Sequence, residues 1–122
     1  MSAQATTSFD LSRFCRALEE RDSQTQVAMY APAATVTIAD RMTPPGSPRV
    51  IKGQDEIRSW IEDVSAREMT HAVQRSVSDE QGAALTEACR YPDGTNVLCA
   101  TVFALSDGLI TDQTVVQTWD ES

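Results

Sequence analysis

His71 is the only histidine in the sequence, and it is the residue best suited to acid–base chemistry. Met69, Val73 and Val77 alternate with other residues around it, which predicts a strand whose apolar face also carries His71. On such a face an imidazole can act as a general acid or base, or it can hydrogen-bond a bound carbonyl group. The pattern leaves open the alternative of a histidine at the edge of the core that is satisfied by a backbone carbonyl.

Asp112 is the carboxylate that we pair with His71 as a candidate catalytic group. It lies on the predicted final strand and shares its face with Ile110 and Thr114. If this face points inward, Asp112 lies in a largely apolar lining and can serve as a base; otherwise it lies near the start of the strand in water. The opposite face, which begins with Gln113, is equally open because a β-bulge would exchange the two faces.

Glu87 is a second carboxylate on an apolar strand face, which it shares with Leu85 and Cys89. One interpretation makes Glu87 an acid in a pocket. The other interpretation pairs it with Arg75 across the predicted sheet in a salt bridge. The sequence leaves both interpretations open.

The three cysteines give no sign of a disulfide framework or of a metal site. Cys15 lies in a helical pattern, whereas Cys89 and Cys99 lie in strand patterns. An odd number of cysteines without close spacing is typical of buried thiols in a reducing compartment. With one histidine and dispersed cysteines, we expect no metal ion and no cofactor.

The composition limits the classes of partner. The formal net charge is −8 and Lys52 is the only lysine, so the clustered positive charge that nucleic acids or anionic membranes require is missing. No apolar run approaches the roughly 20 residues that span a bilayer, and the N-terminus lacks the pattern of a signal peptide. We therefore expect a cytoplasmic protein with a frayed segment at residues 1–7 and a single domain at residues 8–122.

The hydrophobic periodicity predicts three helices and six strands. The helices cover residues 9–21, 23–30 and 54–66, and the strands cover residues 34–39, 49–52, 69–78, 83–91, 96–105 and 109–119. Ser23 and Gln26 form a capping-box pattern at the start of the second helix, and Pro32 ends that helix. Turns at residues 92–94 and 106–108 join the last strands into an antiparallel meander.

Helices that precede a run of strands are typical of the α+β class, in which the helices cover one face of the sheet. A long, twisted sheet that curls around a helix makes a cone with a pocket at its open end. We therefore expect an apolar cavity between the sheet and the helices.

Three short motifs carry a resemblance to a known fold. They are Met29-Tyr30-Ala31-Pro32 with Ala34-Thr35-Val36, then Gly53-x-x-x-Ile57-x-x-Trp60-Ile61, and finally Asp107-Gly108-Leu109-Ile110 leading to Trp119-Asp120. In this order and spacing, over residues 9–120, the chain resembles the nuclear transport factor 2-like superfamily, and within it the small bacterial SnoaL-like and ketosteroid-isomerase-like domains. The resemblance implies a cone-shaped, curved antiparallel (mixed) sheet wrapped around three helices. It does not decide the activity, because this superfamily includes isomerases, cyclases, hydrolases, dehydratases and non-catalytic domains.

The resemblance also excludes particular activities. Ketosteroid isomerases use a first-helix tyrosine, a first-strand carboxylate and a protonated aspartate, and the matching positions here are Phe14, Ile38 and Thr101. Phe14 and Ile38 cannot exchange a proton, and Thr101 is a weak neutral donor. The Arg-x-Asp pair of limonene-epoxide hydrolases would fall at Ala88 and Arg90, so it is missing as well.

SnoaL-like cyclases pair a pocket histidine with an aspartate of the last strand, which implies His71 and Asp112 as the catalytic pair here. The expected substrate pocket is formed by Phe14, Tyr30, Ile38, Trp60, Thr101 and Phe103. Two hypotheses follow: an isomerase or cyclase that moves a proton on a small cyclic hydrophobic substrate without a cofactor, or a non-catalytic ligand-binding or dimerisation domain. Residues 97–105 are apolar on both strand faces, so we also expect a homodimer through the outer face of the sheet.

Overall fold

The computed structural model describes residues 8–120, and the predicted frayed segment 1–7 lies outside these residues, as do residues 121–122. Within residues 8–120 the chain forms three helices and six strands. In chain order they are α1 (Leu11–Glu20), α2 (Ser23–Ala28), β1 (Tyr30–Ala39), β2 (Arg49–Lys52), α3 (Gly53–Ala66), β3 (Thr70–Ser78), β4 (Gly82–Arg90), β5 (Asn96–Ser106) and β6 (Leu109–Trp119). None of these helices is long and apolar enough to cross a membrane.

Aspartates begin the first two helices. The Asp10 carboxylate accepts a hydrogen bond from the Arg13 amide at 3.0 Å, and the Asp22 carboxylate accepts one from the Thr25 amide at 3.1 Å. Each bond satisfies an amide that has no partner inside its helix. The prediction that Ser23 caps α2 is wrong, because Asp22 supplies the capping oxygen and Ser23 is already the first residue of the helix.

Tyr30 belongs to β1, not to the second helix as predicted, and β1 begins four residues earlier than the sequence pattern indicated. Tyr30 pairs with Ile110, and the register then shifts so that Thr35 pairs with Asp112. Pro32 lies inside this irregular segment, where its lack of a backbone N–H leaves no ladder bond missing.

The six strands form one mixed sheet in the order β2-β1-β6-β5-β4-β3. The β1–β6 pair is parallel and the other pairs are antiparallel, so β3 to β6 form the predicted meander. The β5–β6 hairpin turns at Asp107 (φ 52°) and Gly108 (φ 78°), and positive φ at both positions is what a tight two-residue hairpin requires. The α+β class and the curled mixed sheet are confirmed.

The helices cover one face of the sheet, which we call the inner face. Helix α3 buries Ile57 and Ile61, and α1 buries Phe14. Helix α1 also lies along the edge strand β3, where the Glu19 carboxylate accepts a hydrogen bond from the Val73 amide at 2.9 Å. That contact covers part of an edge whose backbone groups would otherwise lack partners.

Strand register arranges the inner side chains of β3 to β6 in rows across the sheet. Beside the β5–β6 hairpin, at what we call the deep end, the row is Gln113, Phe103 and Ala83. At the opposite end, beside the turn between β4 and β5, the row is Trp119, Val97, Cys89 and His71. On the outer face Leu98, Val102 and Val116 are exposed by 46%, 60% and 52%.

Candidate functional site

A cavity of about 80 Å³ lies between the helices and the inner face. Five of the six residues predicted for the substrate pocket are on its lining: Phe14, Tyr30, Trp60, Thr101 and Phe103. Ile38 is not, and its prediction as a pocket residue is wrong. It is 3% exposed and belongs to the hydrophobic core, but it does not line the cavity.

The deep end of the cavity contains a chain of hydrogen bonds that we call the Tyr30 network. The Tyr30 hydroxyl donates to the Gln113 carbonyl oxygen, and the Gln113 amide donates to the Thr101 hydroxyl oxygen at 2.9 Å. Thr101 in turn donates to the Thr114 backbone carbonyl at 3.1 Å. Burial raises the pKa of Tyr30, so its proton stays in place. Each donor in this network has an acceptor within the protein, which is typical of a structural role.

The opposite end contains His71, Glu87 and Cys89, which we call the His71 cluster. His71 and Cys89 are register partners on β3 and β4, and Glu87 lies two residues before Cys89 on the same strand face. Nδ1 of His71 lies 3.0 Å from a Glu87 carboxylate oxygen, and their side chains are only 6% and 9% exposed. The structure thus pairs the imidazole with a carboxylate on the cavity wall.

Of the two interpretations of Glu87, the one that pairs it with Arg75 in a salt bridge is wrong. The register between β3 and β4 shifts after Val73, so that Gln74 is left over and Arg75 pairs with Thr86. Arg75 is exposed as a result. The same bulge turns Val77 away from the inner face, and Val77 is 68% exposed. The prediction that Val77 shares the apolar face of His71 is therefore wrong.

The structure does not bring Asp112 to the cavity, so the expected pair of His71 and Asp112 is wrong as a geometric unit. Asp112 is exposed. Ile110 pairs with Leu105 and Asp112 pairs with Ala104, so Thr111 is an extra residue that exchanges the faces of β6. From there on Gln113 and its alternate neighbours point inward. This is the bulge alternative that the sequence left open.

Cys89 is close to His71 but is not set up as a nucleophile. Its sulfur lies 3.3 Å from His71 Nδ1, the same nitrogen that contacts Glu87. A nucleophile and an orienting carboxylate must use opposite nitrogens of the ring, and here they share one. Burial, reinforced by the nearby Glu87 charge, raises the pKa of the Cys89 thiol, and burial raises that of Cys99 to about 12.

No metal site was expected from one histidine and dispersed cysteines, but the fold brings one of the cysteines next to the histidine. Cys89 joins His71 and Glu87 in a group whose ligand atoms all lie within 4.8 Å of one another. No sequence spacing could have shown this, because the three residues meet only through the β3–β4 register.

Aromatic side chains and arginines surround the end of the cavity where α3 and β4 end, which we call the mouth. The rings of Tyr91 and Trp119 stack with centroids 5.6 Å apart, and the Arg41 guanidinium lies 4.4 Å from the centre of the Trp119 ring. The Arg67 guanidinium donates to the Tyr91 hydroxyl at 3.1 Å. The buried indole N–H of Trp119 has no hydrogen-bond partner among residues 8–120.

Two polar groups of the cavity, those of Gln113 and Trp119, were not among the predicted site residues. Both belong to the face of β6 that the Thr111 bulge turns inward. Alternation along β6 places glutamines and an aromatic residue on one strand face, and this was the available signal. It could be used only after the bulge had shown that this face points inward.

The model of the SnoaL-like domain family matches residues 11–113, which is most of the chain. This chain belongs to the SnoaL-like domain family. The match covers α1 through the start of β6 and therefore includes the His71 cluster. Among curated proteins no match is found.

Solved structures similar to this SnoaL-like chain share its fold at low sequence identity. A protein from Kribbella flavida DSM 17836 is 22% identical with a TM-score of 0.74, over 93% of this chain and 88% of that one. A nuclear transport factor 2-like protein of unknown function from Mesorhizobium loti is 12% identical with a TM-score of 0.76, over 88% of this chain and 86% of that one. SalBIII, an epoxide hydrolase/cyclase-like enzyme in pyran ring formation in salinomycin, is 21% identical with a TM-score of 0.68, over 88% and 86% of the two chains. At such identities the similarity establishes the fold and leaves the activity to the site.

Proposed function

We propose that this SnoaL-like domain binds a small, mostly apolar cyclic molecule in its cavity and that His71 moves a proton on that molecule. The observation that carries the proposal is the His71–Glu87 pair, whose interacting atoms lie 3.0 Å apart on the cavity wall with both side chains almost out of water. Isomerisation and cyclisation of such molecules both proceed by proton transfer, for which a positioned imidazole needs no cofactor.

Glu87 orients the imidazole. An ionised carboxylate only accepts hydrogen bonds, so the tautomer that fits this contact has Nδ1–H donating to Glu87 and the lone pair on Nε2. Nε2 is then the nitrogen that takes a proton from a ligand. Glu87 acts on the ligand through His71 and is a positioning residue.

The size of the cavity limits the ligand. Its volume of about 80 Å³ is small beside the roughly 300–1,000 Å³ of common small-molecule sites. A compact ring fits this volume better than a steroid, which would need the half-buried Tyr91 and Trp119 at the mouth to move. The unpartnered indole N–H of Trp119 would donate to an oxygen of the ligand, which favours a carbonyl-bearing ring.

The alternative is a domain that binds a ligand or dimerises without catalysis. Phe14, Ile38 and Thr101 stand where ketosteroid isomerases carry their acid–base groups, and the Thr101 hydroxyl is already occupied by Gln113 and Thr114. In that case the His71–Glu87 pair only stabilises the wall of the cavity. The two functions differ in whether a bound ligand exchanges protons with water.

Hydrogen exchange tests this difference without knowledge of the product. Small cyclic carbonyl compounds that raise the melting temperature are incubated with the protein in D₂O, and NMR follows replacement of the hydrogens next to the carbonyl. We expect His71→Asn to lower the exchange rate on the order of 10²–10⁴-fold, the usual contribution of a general base. The matched control is Asp112→Asn on the exposed face of β6, which should leave the rate unchanged. Ligands that bind and exchange no faster than in buffer would support the non-catalytic alternative.

We also propose that the outer face of the sheet forms a homodimer. Val102 is 60% exposed beside Leu98 and Val116, and exposed apolar side chains on adjacent strands are typical of an interaction surface. Sedimentation velocity should show a dimer for the wild-type protein and a monomer for Val102→Asp. The control is Met42→Asp, because Met42 is 80% exposed in the loop after β1, outside the sheet. A Val102→Asp protein that remains dimeric would place the interface elsewhere.

A further inference from the structure

We propose that the His71 cluster binds one divalent metal ion of the zinc type at the wall of the cavity. His71 Nδ1, a Glu87 carboxylate oxygen and Cys89 Sγ lie within 4.8 Å of one another. They come from two adjacent strands, whose register holds the backbone positions of all three residues. A rigid sheet is a more exact support for ligands than a loop.

The distances fit a tetrahedral ion after a small adjustment. Zinc bonds of about 2.0–2.3 Å to nitrogen, oxygen and sulfur imply separations of about 3.4 Å between nitrogen and oxygen and about 3.6 Å between nitrogen and sulfur. The corresponding separations here are 3.0 Å and 3.3 Å. The two separations that include nitrogen would each open by a few tenths of an ångström. Rotation of the Glu87 and Cys89 side chains would bring their oxygen and sulfur atoms, which lie within 4.8 Å of each other, to the tetrahedral separation.

A bound metal ion would explain why two side chains approach the same nitrogen of His71. Glu87 and Cys89 both approach Nδ1 of His71, and only one of them can take its single hydrogen. A metal ion on the Nδ1 lone pair would contact the oxygen and the sulfur at the same time. Three protein ligands leave a fourth position, which here would face the cavity and take water or a ligand.

The ligand set selects the type of ion. A thiolate and an imidazole favour zinc and neighbouring transition metals, whereas calcium and magnesium prefer oxygen alone. The charges also balance: a divalent ion with the Glu87 carboxylate and the Cys89 thiolate gives a neutral group. On binding, the Cys89 thiol proton leaves to solvent and the proton on His71 Nδ1 moves to Nε2, so that one proton is released per ion.

The metal site is independent of the proposed function, but a bound ion would affect the proton transfer proposed for His71. With a metal on Nδ1, the proton sits on Nε2, so the ring could no longer take a proton from a ligand. The hydrogen-exchange test is therefore run on protein treated with a chelator. A negative result in the metal titration then does not affect the proposed proton transfer, and a negative result in the exchange test does not affect the metal site.

Cobalt and zinc alone are the probes for the site. The tag-free full chain, reduced and freed of metal, is titrated with Co²⁺, and we expect a 1:1 complex with a sulfur-to-cobalt charge-transfer band and the visible bands of four-coordinate cobalt. Cys89→Ser should abolish the charge-transfer band and weaken zinc binding by at least about 10-fold, as measured by competition with a chromophoric chelator. Cys99→Ser is the matched control and should keep the band, because Cys99 is a buried thiol on the next strand outside the cluster.

Two results would overturn the proposal: a wild-type protein without the charge-transfer band, or a band that persists in Cys89→Ser. If Cys89→Ser does not fold, X-ray absorption of the zinc-loaded wild-type protein provides the decision. One sulfur neighbour with nitrogen and oxygen neighbours supports the site, and a shell without sulfur contradicts it. Glu87→Gln should keep the sulfur band and lower the affinity.

Discussion

The two ends of the cavity contain polar groups of opposite kinds. At the deep end, the Tyr30 network runs from Tyr30 through Gln113 and Thr101 to a backbone carbonyl, and each donor has its acceptor. At the other end, the His71 cluster has two groups competing for one nitrogen. Nearby, the Trp119 indole N–H has no partner among residues 8–120.

The difference separates structural polar groups from candidate functional ones. A closed chain of hydrogen bonds holds the sheet and the helices in one arrangement, and it offers nothing to a ligand. A cluster with unmet hydrogen-bonding capacity gains from a ligand or an ion. Burial alone does not make this distinction, since Gln113 and Glu87 are 5% and 7% exposed.

The largest expected effect is on stability at the deep end. Phe103→Ala should lower the free energy of unfolding by about 3–5 kcal/mol, because the Phe103 ring is 2% exposed and packs edge-on against Phe14 at 5.3 Å. Urea denaturation measures the loss. The control is Met42→Ala in the exposed loop after β1, which should change stability by no more than about 0.5 kcal/mol. Equal losses in the two variants would mean that the deep end is not a tightly packed core.

A smaller loss is expected when the Tyr30 network is interrupted. Gln113→Leu leaves the Tyr30 hydroxyl buried without an acceptor, at a cost of about 1–3 kcal/mol in urea denaturation. Combination with Tyr30→Phe removes the stranded hydroxyl, so the double variant should lose less than the sum of the two single variants. Additive losses would show that the two side chains do not depend on each other.

The smallest effect on stability, and the largest on chemistry, is expected at the His71 cluster. Glu87→Gln can still hydrogen-bond His71, so the free energy of unfolding should change by less than about 1 kcal/mol. The amide can donate to Nδ1 and thereby hold the wrong tautomer, so hydrogen exchange of a bound ligand should slow on the order of 100-fold or more. If Glu87→Gln lowered the stability as much as Gln113→Leu and left the exchange rate unchanged, the two ends of the cavity would not differ in role.

The order of the elements and most of their bounds were predictable from the sequence. The apolar spacing of Ile57, Trp60 and Ile61 predicts α3, and the Asp107-Gly108 turn predicts the last hairpin. These signals are local, since helix faces and tight turns depend on residues a few positions apart. The start of β1 at Tyr30 was missed, because it depends on pairing with Ile110, which lies far along the chain.

The partners of His71 were not predictable in the same way. Its place on an inner strand face followed from the alternation around it, but Glu87 and Cys89 became its neighbours through the β3–β4 register. An extra residue at Gln74 and another at Thr111 set which side chains face inward beyond them. Neither residue has a type that marks a bulge.

The sequence by itself determined the α+β class, the meander and the apolar stripes, because caps, turns and periodicity act over short distances. The tertiary structure decided which polar side chains meet: Glu87 and Cys89 with His71, and Gln113 instead of Asp112 inside the cavity. The physical reason is that a bulge forms where two strands and the helices above them pack best together. That balance belongs to the assembled sheet, and a one-residue shift turns every later side chain to the other face.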